Sequence, residues 1–260
     1  MYKYVRSSLY DNREFFDLYI GSLSSRYDDF LENHILDSEI FSITADERRI
    51  GYFGVYKDKT LTQFVLSPSD LRHAQPVFRE VLETYRIENA LVPTCDELFL
   101  SLCLDRHKKV SLQAYLFEDG RKRVRPPEYG RELLRQATPG DMPAIIAICG
   151  DFLDRYEERI KNGQLYVMRK DGEFLGLGVI VDNVIIPNCK GTGMFINAKY
   201  RGKGVGRSIL LHLKAICNEK GISPVPGCTY QSDDSRRALE SAGYVTKTRL
   251  LNIEFDLAEV

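Results

Sequence analysis

Glycines at 202, 204 and 206 sit between a run that reads as a strand, at about 190–197, and an amphipathic helix at 205–220. No other stretch of the chain restricts its folding as closely. Val205, Ile209, Leu210, Leu213 and Ile216 recur at the three-and-four spacing of one buried helix face, and Gly221 ends the pattern. The glycines remove the Cβ atoms that would hold a ligand away from the backbone, and they permit left-handed dihedrals. The unpaired N–H groups of the first helical turn converge where the helix dipole favours negative charge. A pyrophosphate suits such a place. Arg201, Lys203 and Arg207 add positive charge there, and Ser208 offers a hydroxyl.

Other phosphate loops fit less well. A Walker loop needs Gly-x-x-x-x-Gly-Lys-Ser/Thr, and the lysine after Gly202 is out of that frame. A dinucleotide fingerprint needs Gly-x-Gly-x-x-Gly, whereas this stretch is one residue short. A tight strand-to-helix turn would account for the glycines alone, but none of these readings accounts for Arg201.

The second half of the chain alternates strands and helices around this loop. It reads as a strand at 133–138, helices at 142–149 and 151–161, and a hairpin of 164–169 with 173–181 turning at Lys170-Asp-Gly172. A strand at 225–230, a helix from 233 or 234 to 242, and a closing strand at 244–256 follow the long helix. The first half has the same rhythm. Helices at 12–23 and 25–35 precede strands at 40–44, 51–56 and 61–66, then a helix at 69–85, a strand at 90–92, a helix at 96–105 and a strand at 111–117. The repeated order predicts a structural duplication. The seam is placed at 118–130, where a Gly turn, a basic run (Arg121, Lys122, Arg123, Arg125) and a Pro-Pro pair resist regular structure. The basic run reads as a solvated linker. Domains of 1–125 and 131–260 follow, a size of two ordinary domains for 260 residues.

Composition narrows the function classes. Thirty-six basic and 37 acidic side chains give a formal charge of -1, without the basic excess of a dedicated nucleic-acid binder. No apolar leader or membrane-spanning run is legible. Six cysteines lack any Cys-x-x-Cys pair and four histidines are scattered, which predicts reduced thiols in a cytoplasmic protein and no bound metal.

Arg201-Gly-Lys-Gly204-Val-Gly206 resembles the Arg/Gln-x-x-Gly-x-Gly/Ala signature of the GNAT acetyltransferases, with Met194-Phe195-Ile196 in place of the hydrophobic triplet that precedes it. Ser232-Asp-Asp-Ser235 with Gly243-Tyr244 resembles the family's Asn-x-x-Ser/Ala…Gly-Phe/Tyr segment at the same spacing. The resemblance covers about 132–260. It implies an α/β fold of the α+β kind, a mixed central sheet flanked by helices, in two tandem copies, the first degenerate or accessory. It implies a pantetheine arm lying along Met194–Ile196 and a pyrophosphate on the amides of Gly202, Lys203, Gly204, Val205, Gly206 and Arg207, with Arg201, Ser208, Ser232 and Ser235 completing the cofactor site.

The implied reaction is acetyl transfer from acetyl-CoA to a primary amine, a small metabolite or a peptide, by direct attack without a covalent enzyme intermediate and without a metal. A base must first take a proton from the amine, and a donor must support the departing thiolate. The sequence departs from the family at Leu239, where many members place a tyrosine acid, and at Ser232, where an asparagine is usual. Tyr230 is the substitute acid; Asp182, Glu157 and Glu158 are the reachable bases, and Cys228 is not expected to be a nucleophile. A non-catalytic acyl-CoA-binding sensor is the alternative. A monomer or homodimer that binds neither nucleic acid nor membrane is expected.

The first half has no glycine loop at its corresponding junction, Leu66-Ser-Pro-Ser-Asp70-Leu-Arg72. That junction starts a helix well but leaves no room for a phosphate backbone.

Overall fold

A computed structural model describes residues 1–256. In chain order the first repeat is β1 (Tyr2–Ser7), α1 (Arg13–Ser22), α2 (Asp29–Leu36), β2 (Glu39–Ala45), β3 (Arg48–Tyr56), β4 (Thr60–Leu66), α3 (Ala74–Tyr85), β5 (Asn89–Pro93), α4 (Glu97–Asp105) and β6 (His107–Asp119). The second is β7 (Leu134–Gln136), α5 (Met142–Cys149), α6 (Tyr156–Lys161), β8 (Leu165–Lys170), β9 (Glu173–Asp182), β10 (Cys189–Ile196), α7 (Val205–Glu219), β11 (Ser223–Thr229), α8 (Asp233–Ser241) and β12 (Tyr244–Phe255). The order of the two series is identical, as the duplication requires.

The chain forms two compact units. Unit 1 is Met1–Tyr115 with the described residues from Lys247 on, and unit 2 is Leu116–Thr246. In unit 1 the strand order is β1-β2-β3-β4-β5-β12. The end of β12 lies antiparallel to β5, Leu250 opposite Pro93 and Glu254 opposite Asn89. In unit 2 the order is β6-β11-β10-β9-β8-β7. The seam at 118–130 belongs to unit 2.

Each unit has its own apolar core. In unit 1, α3 presses Ala74, Val77, Phe78, Val81 and Leu82 onto Phe53, Leu61, Phe64 and Ile253. In unit 2 the sheet is covered on both faces. Val205, Ile209, Leu213 and Ile216 of α7 pack on Met168, Leu175 and Ile180, while α5 and α6 bury Ile145, Cys149 and Ile160 against Val167, Leu177 and Val179. The β8–β9 hairpin turns where the sequence places it: Asp171 (φ 51°) and Gly172 (φ 82°) are both left-handed, the conformation that a two-residue turn between right-twisted strands needs.

Three local differences have physical causes. β1 escapes sequence reading because charges interrupt its alternation, yet it pairs antiparallel with β2 along its length, Tyr2 opposite Ala45 to Ser7 opposite Ile40. The helix read at 69–85 divides: Pro68–His73 is a 3-10 turn, and α3 proper begins at Ala74. The helix read at 151–161 begins only at Tyr156, because Arg155 is left-handed (φ 49°).

Candidate cofactor and active site

The site in unit 2 is built where one strand loses a neighbour. β10 runs parallel to β11 from Cys189 opposite Ser223 to Thr192 opposite Pro226, and there the pairing ends. Pro226 has no N–H with which to extend the ladder. β10 continues to Ile196, held on its other side by β9 through Ile196 opposite Gly176. The edge of Gly193–Ile196 that would face β11 is therefore unpaired. Met194 and Ile196 turn toward the α7 core. Phe195 turns to the opposite face, its ring 5.0 Å from that of Phe152. The backbone of the triplet is thus left as the accessible feature.

The chain then turns sharply into α7. Asn197 accepts from the Lys199 amide at 3.2 Å and donates to the Phe174 carbonyl at 2.9 Å, which pins the end of the strand. Gly202 (φ 72°) and Gly204 (φ 81°) are left-handed, a conformation costly for other residues. A Cβ on Gly206 would stand 3.3 Å from Met194 Sδ, so the first turn of α7 lies directly on the strand. Gly204 caps the helix without a side-chain bond, and no acidic residue occupies the first turn. The first N–H groups of α7 thus have neither intrahelical partners nor a capping side chain, at the end where the dipole attracts an anion.

Two side chains assigned to that anion have partners elsewhere in the chain. Arg207 is 5% exposed. Its guanidinium donates to Ser241 O at 3.1 Å, Pro126 O at 2.9 Å, Glu128 Oε2 at 3.1 Å and the Arg125 carbonyl. Ser208 is fully buried; its hydroxyl donates to Gly204 O at 2.9 Å and accepts from Tyr129 N at 3.1 Å. Both fasten residues 125–129 along α7. Their spacing in sequence matches a phosphate loop, but on a helix they fall on its inward face. Arg201 and Lys203 remain exposed, with the Lys203 ammonium 5.4 Å from the Tyr200 ring centre.

The strap itself is what sequence reading missed. His212 Nε2 meets Tyr129 O at 2.7 Å, and Arg131 Nη1 donates to His212 O at 2.9 Å. Glu128 lies beside the glycine turn at Gly204, where Arg125 contacts it at 2.6 Å in addition to Arg207. Burial alone would raise the Glu128 carboxyl, but its own amide and the guanidinium of Arg207 hold it below its ordinary range. The basic side chains Arg121, Lys122, Arg123 and Arg125 are exposed, as a solvated linker requires, while the backbone after them is anchored. The only sequence signal was the Pro-Pro pair, which marks irregular backbone without saying what it touches.

The second motif forms the start of α8. Ser232 Oγ donates to Ser235 Oγ at 2.9 Å. Tyr230 is half-buried in the turn between β11 and α8. Leu239 is 3% exposed and belongs to the core. Of the base candidates, Asp182 is not brought to the open edge of β10. Asp182 lies opposite Lys190, with an ion pair of 2.5 Å, at the beginning of that strand; Lys190 is three residues from Gly193, roughly 10 Å along the strand. Glu157 and Glu158 are exposed in the first turn of α6, and Glu158 pairs with Arg155 at 3.6 Å. No cluster of three or more metal-ligating side chains occurs among the described residues, and no helix among them is long and apolar enough to cross a membrane.

Comparison with known proteins bears on the fold. Two family models, each described as an acetyltransferase (GNAT) domain, match residues 8–120 and 146–252. A GNAT-family acetyltransferase from Colwellia psychrerythraea superposes with a TM-score of 0.86 at 18% identity, over 98% of this chain and 100% of that one. A GCN5-related N-acetyltransferase from Sphaerobacter thermophilus gives 0.66 at 13% identity, over 98% and 95%. A tandem GNAT protein from the clavulanic acid biosynthesis pathway gives 0.62 at 10% identity, over 97% and 98%. No curated protein matches by sequence.

Proposed function

Since the chain belongs to the GNAT acetyltransferase family and carries two of its domains in tandem, we propose that unit 2 is an acyl-CoA-dependent N-acyltransferase, transferring acetyl from acetyl-CoA to a primary amine. The observation that carries this reading is the open edge of Gly193–Ile196 leading straight into the uncapped, glycine-turned start of α7. A pantetheine arm has amide groups to pair with that edge, as an added strand would. Its pyrophosphate then falls on the amides of Gly202 to Arg207, with Arg201 and Lys203 supplying charge. Ser232 and Ser235, at the start of α8, complete the cofactor side.

The residues of this chain would work chiefly by placement. The open strand edge fixes the thioester, and an amine held opposite attacks its carbonyl within one ternary complex. Tyr230 is the group proposed to protonate the departing thiolate. Water is the proposed first acceptor of the amine proton, since Asp182 lies at the far end of β10, paired with Lys190. The acceptor is a small-molecule or peptide amine. Six cysteines, none of them in a disulfide, favour a reducing, cytoplasmic setting.

A second reading, an acyl-CoA-binding regulator without turnover, is favoured by the buried Leu239. Calorimetry with acetyl-CoA, followed by turnover on a panel of amines, separates the two. Binding with turnover supports the enzyme, binding without turnover on any amine supports the regulator, and no binding overturns both.

A further inference from the structure

The glycine turn at the start of α7 is gripped at two points. β10 backs one of them: a Cβ on Gly206 would stand 3.3 Å from Met194 Sδ and 3.4 Å from Ile196 Cδ1. Glu128 backs the other, where a Cβ on Gly204 would meet its Cγ, Cδ and Oε2 at 2.9, 2.7 and 2.8 Å. Apart from its chain neighbours, nothing lies within 4 Å of a Cβ placed on Gly202. The turn is therefore held at 204 and 206 and open at 202.

A carboxylate at this place has a competing use. The N-terminus of a helix attracts an acidic side chain as its cap, and a capping Glu128 would occupy the amides that a ligand needs. Its partners lie elsewhere: Arg207 Nη1 at 3.1 Å, Ser208 Oγ at 3.4 Å and Arg125 Nη2 at 2.6 Å. No side chain caps α7. Arg207 is buried and is itself fixed on the carbonyls of Arg125, Pro126 and Ser241. That guanidinium cannot follow the carboxylate outward, so it keeps Glu128 beside Gly204 and off the amides. The backbone next to Glu128 is anchored as well, Tyr129 N on Ser208 Oγ at 3.1 Å and Tyr129 O on His212 Nε2 at 2.7 Å.

Charge rules out a direct attraction between Glu128 and the proposed ligand, because a carboxylate repels a pyrophosphate. What Glu128 supplies is bulk at a fixed place. Glycines left unsupported sample many backbone conformations. Ordering them only when the ligand arrives would be subtracted from its affinity.

We propose that Glu128 is a positioning residue for the pyrophosphate of coenzyme A: with Met194 it clamps the Gly204–Gly206 turn, so that the first amides of α7 stay free and converge on the ligand. This role rests on the reading of unit 2 as a coenzyme A site and is exerted through Gly204.

Two conservative substitutions separate place from charge. Glu128→Gln keeps the length of the side chain and loses its charge, whereas Glu128→Asp keeps the charge and loses one methylene of reach. Both full-length variants are titrated with acetyl-CoA by calorimetry. Glu128→Gln binds within about twofold of the unsubstituted chain, and Glu128→Asp binds about tenfold more weakly. An NMR titration with S-acetylpantetheine, which lacks the pyrophosphate, shows no such loss for Glu128→Asp. A purely structural ion pair gives the reverse order, because Glu128→Gln is the variant that leaves the buried Arg207 without its countercharge. Equal losses in the two variants, a larger loss in Glu128→Gln, or undiminished affinity in Glu128→Asp overturns the proposal. So does an equal loss of S-acetylpantetheine and acetyl-CoA, since the whole site is then deformed. If the unsubstituted chain does not bind acetyl-CoA, the reading of unit 2 fails and this role with it. If it does bind and Glu128→Asp binds equally well, only the role of Glu128 fails. Should circular dichroism show Glu128→Asp unfolded, Glu128→Ala takes its place with the same expected loss.

Discussion

The carboxylate of Glu128 lies against the α-carbon of Gly204, so close that a methyl group on that glycine would come within 2.7 Å of Glu128 Cδ. One acidic side chain from the segment before the second repeat therefore sets the space around the left-handed turn of the proposed phosphate loop. Gly204→Ala should fail for two separable reasons. The contact with Glu128 is one, and φ of 81°, worth about 1–2 kcal/mol for a residue with a Cβ, is the other. In Gly204→Ala/Glu128→Ala, urea unfolding should show the backbone penalty surviving once the contact is relieved. Full recovery of stability would mean that the dihedral carries no cost.

Arg201 and Arg207 should separate cleanly. Arg201→Ala leaves stability within about 0.5 kcal/mol, as for exposed positions generally, and weakens coenzyme A binding several-fold with a reduced salt dependence. Arg207→Ala removes the donor to three backbone carbonyls and leaves Glu128 without its buried partner. A loss of roughly 2–4 kcal/mol is expected. Calorimetry and denaturation on the same two variants decide. The opposite pattern, with Arg207→Ala stable but blind to the cofactor, would restore its place at the phosphate.

If Tyr230 supplies the proton to the thiolate, Tyr230→Phe lowers kcat by about 100-fold or more while KM for acetyl-CoA is kept. Leu239→Tyr does not compensate, since position 239 lies in the core and an overpacked ring there costs about 1–3 kcal/mol. Steady-state kinetics of the two single variants would expose an error in either assignment.

Two buried carboxyls in unit 1 give a pH signature. Burial pushes both Asp28 and Asp96 from the usual 3.8 up to about 7, with the neighbouring Asp29 adding to the first. The unfolded chain releases these protons near pH 4, while the folded chain keeps them until about pH 7. Stability from this source therefore falls as pH rises through that window and is flat above it. Asp96→Asn should remove its share of the fall, a gain on the order of 2–4 kcal/mol at pH 8 and little at pH 4. Denaturant midpoints at a series of pH values test it; an equal effect at both ends would show that Asp96 ionises normally.

The repeat order, the hairpin at Asp171-Gly172 and the face of α7 were all legible because each depends on local rules of period and turn chemistry. The loop glycines were legible for the same reason. The roles of Arg207 and Ser208 were not. Whether a helical side chain reaches a ligand or its own scaffold depends on what covers the helix, and residues 125–129, about 80 positions earlier, do that. The end of β12 beside β5 illustrates the same limit, since strand partners follow from topology rather than from strand composition.

The Pro-Pro segment, for all its irregular backbone, is not a spacer that tolerates free exchange. Its carbonyls at Arg125 and Pro126 are the fixed acceptors for Arg207. A glycine–serine replacement of equal reach would connect the repeats while taking away the splint of the first turn of α7. Chimeras that graft a foreign second repeat onto this first one must therefore carry the donor's own connector, or inherit a loop that is correct in sequence and loose in space.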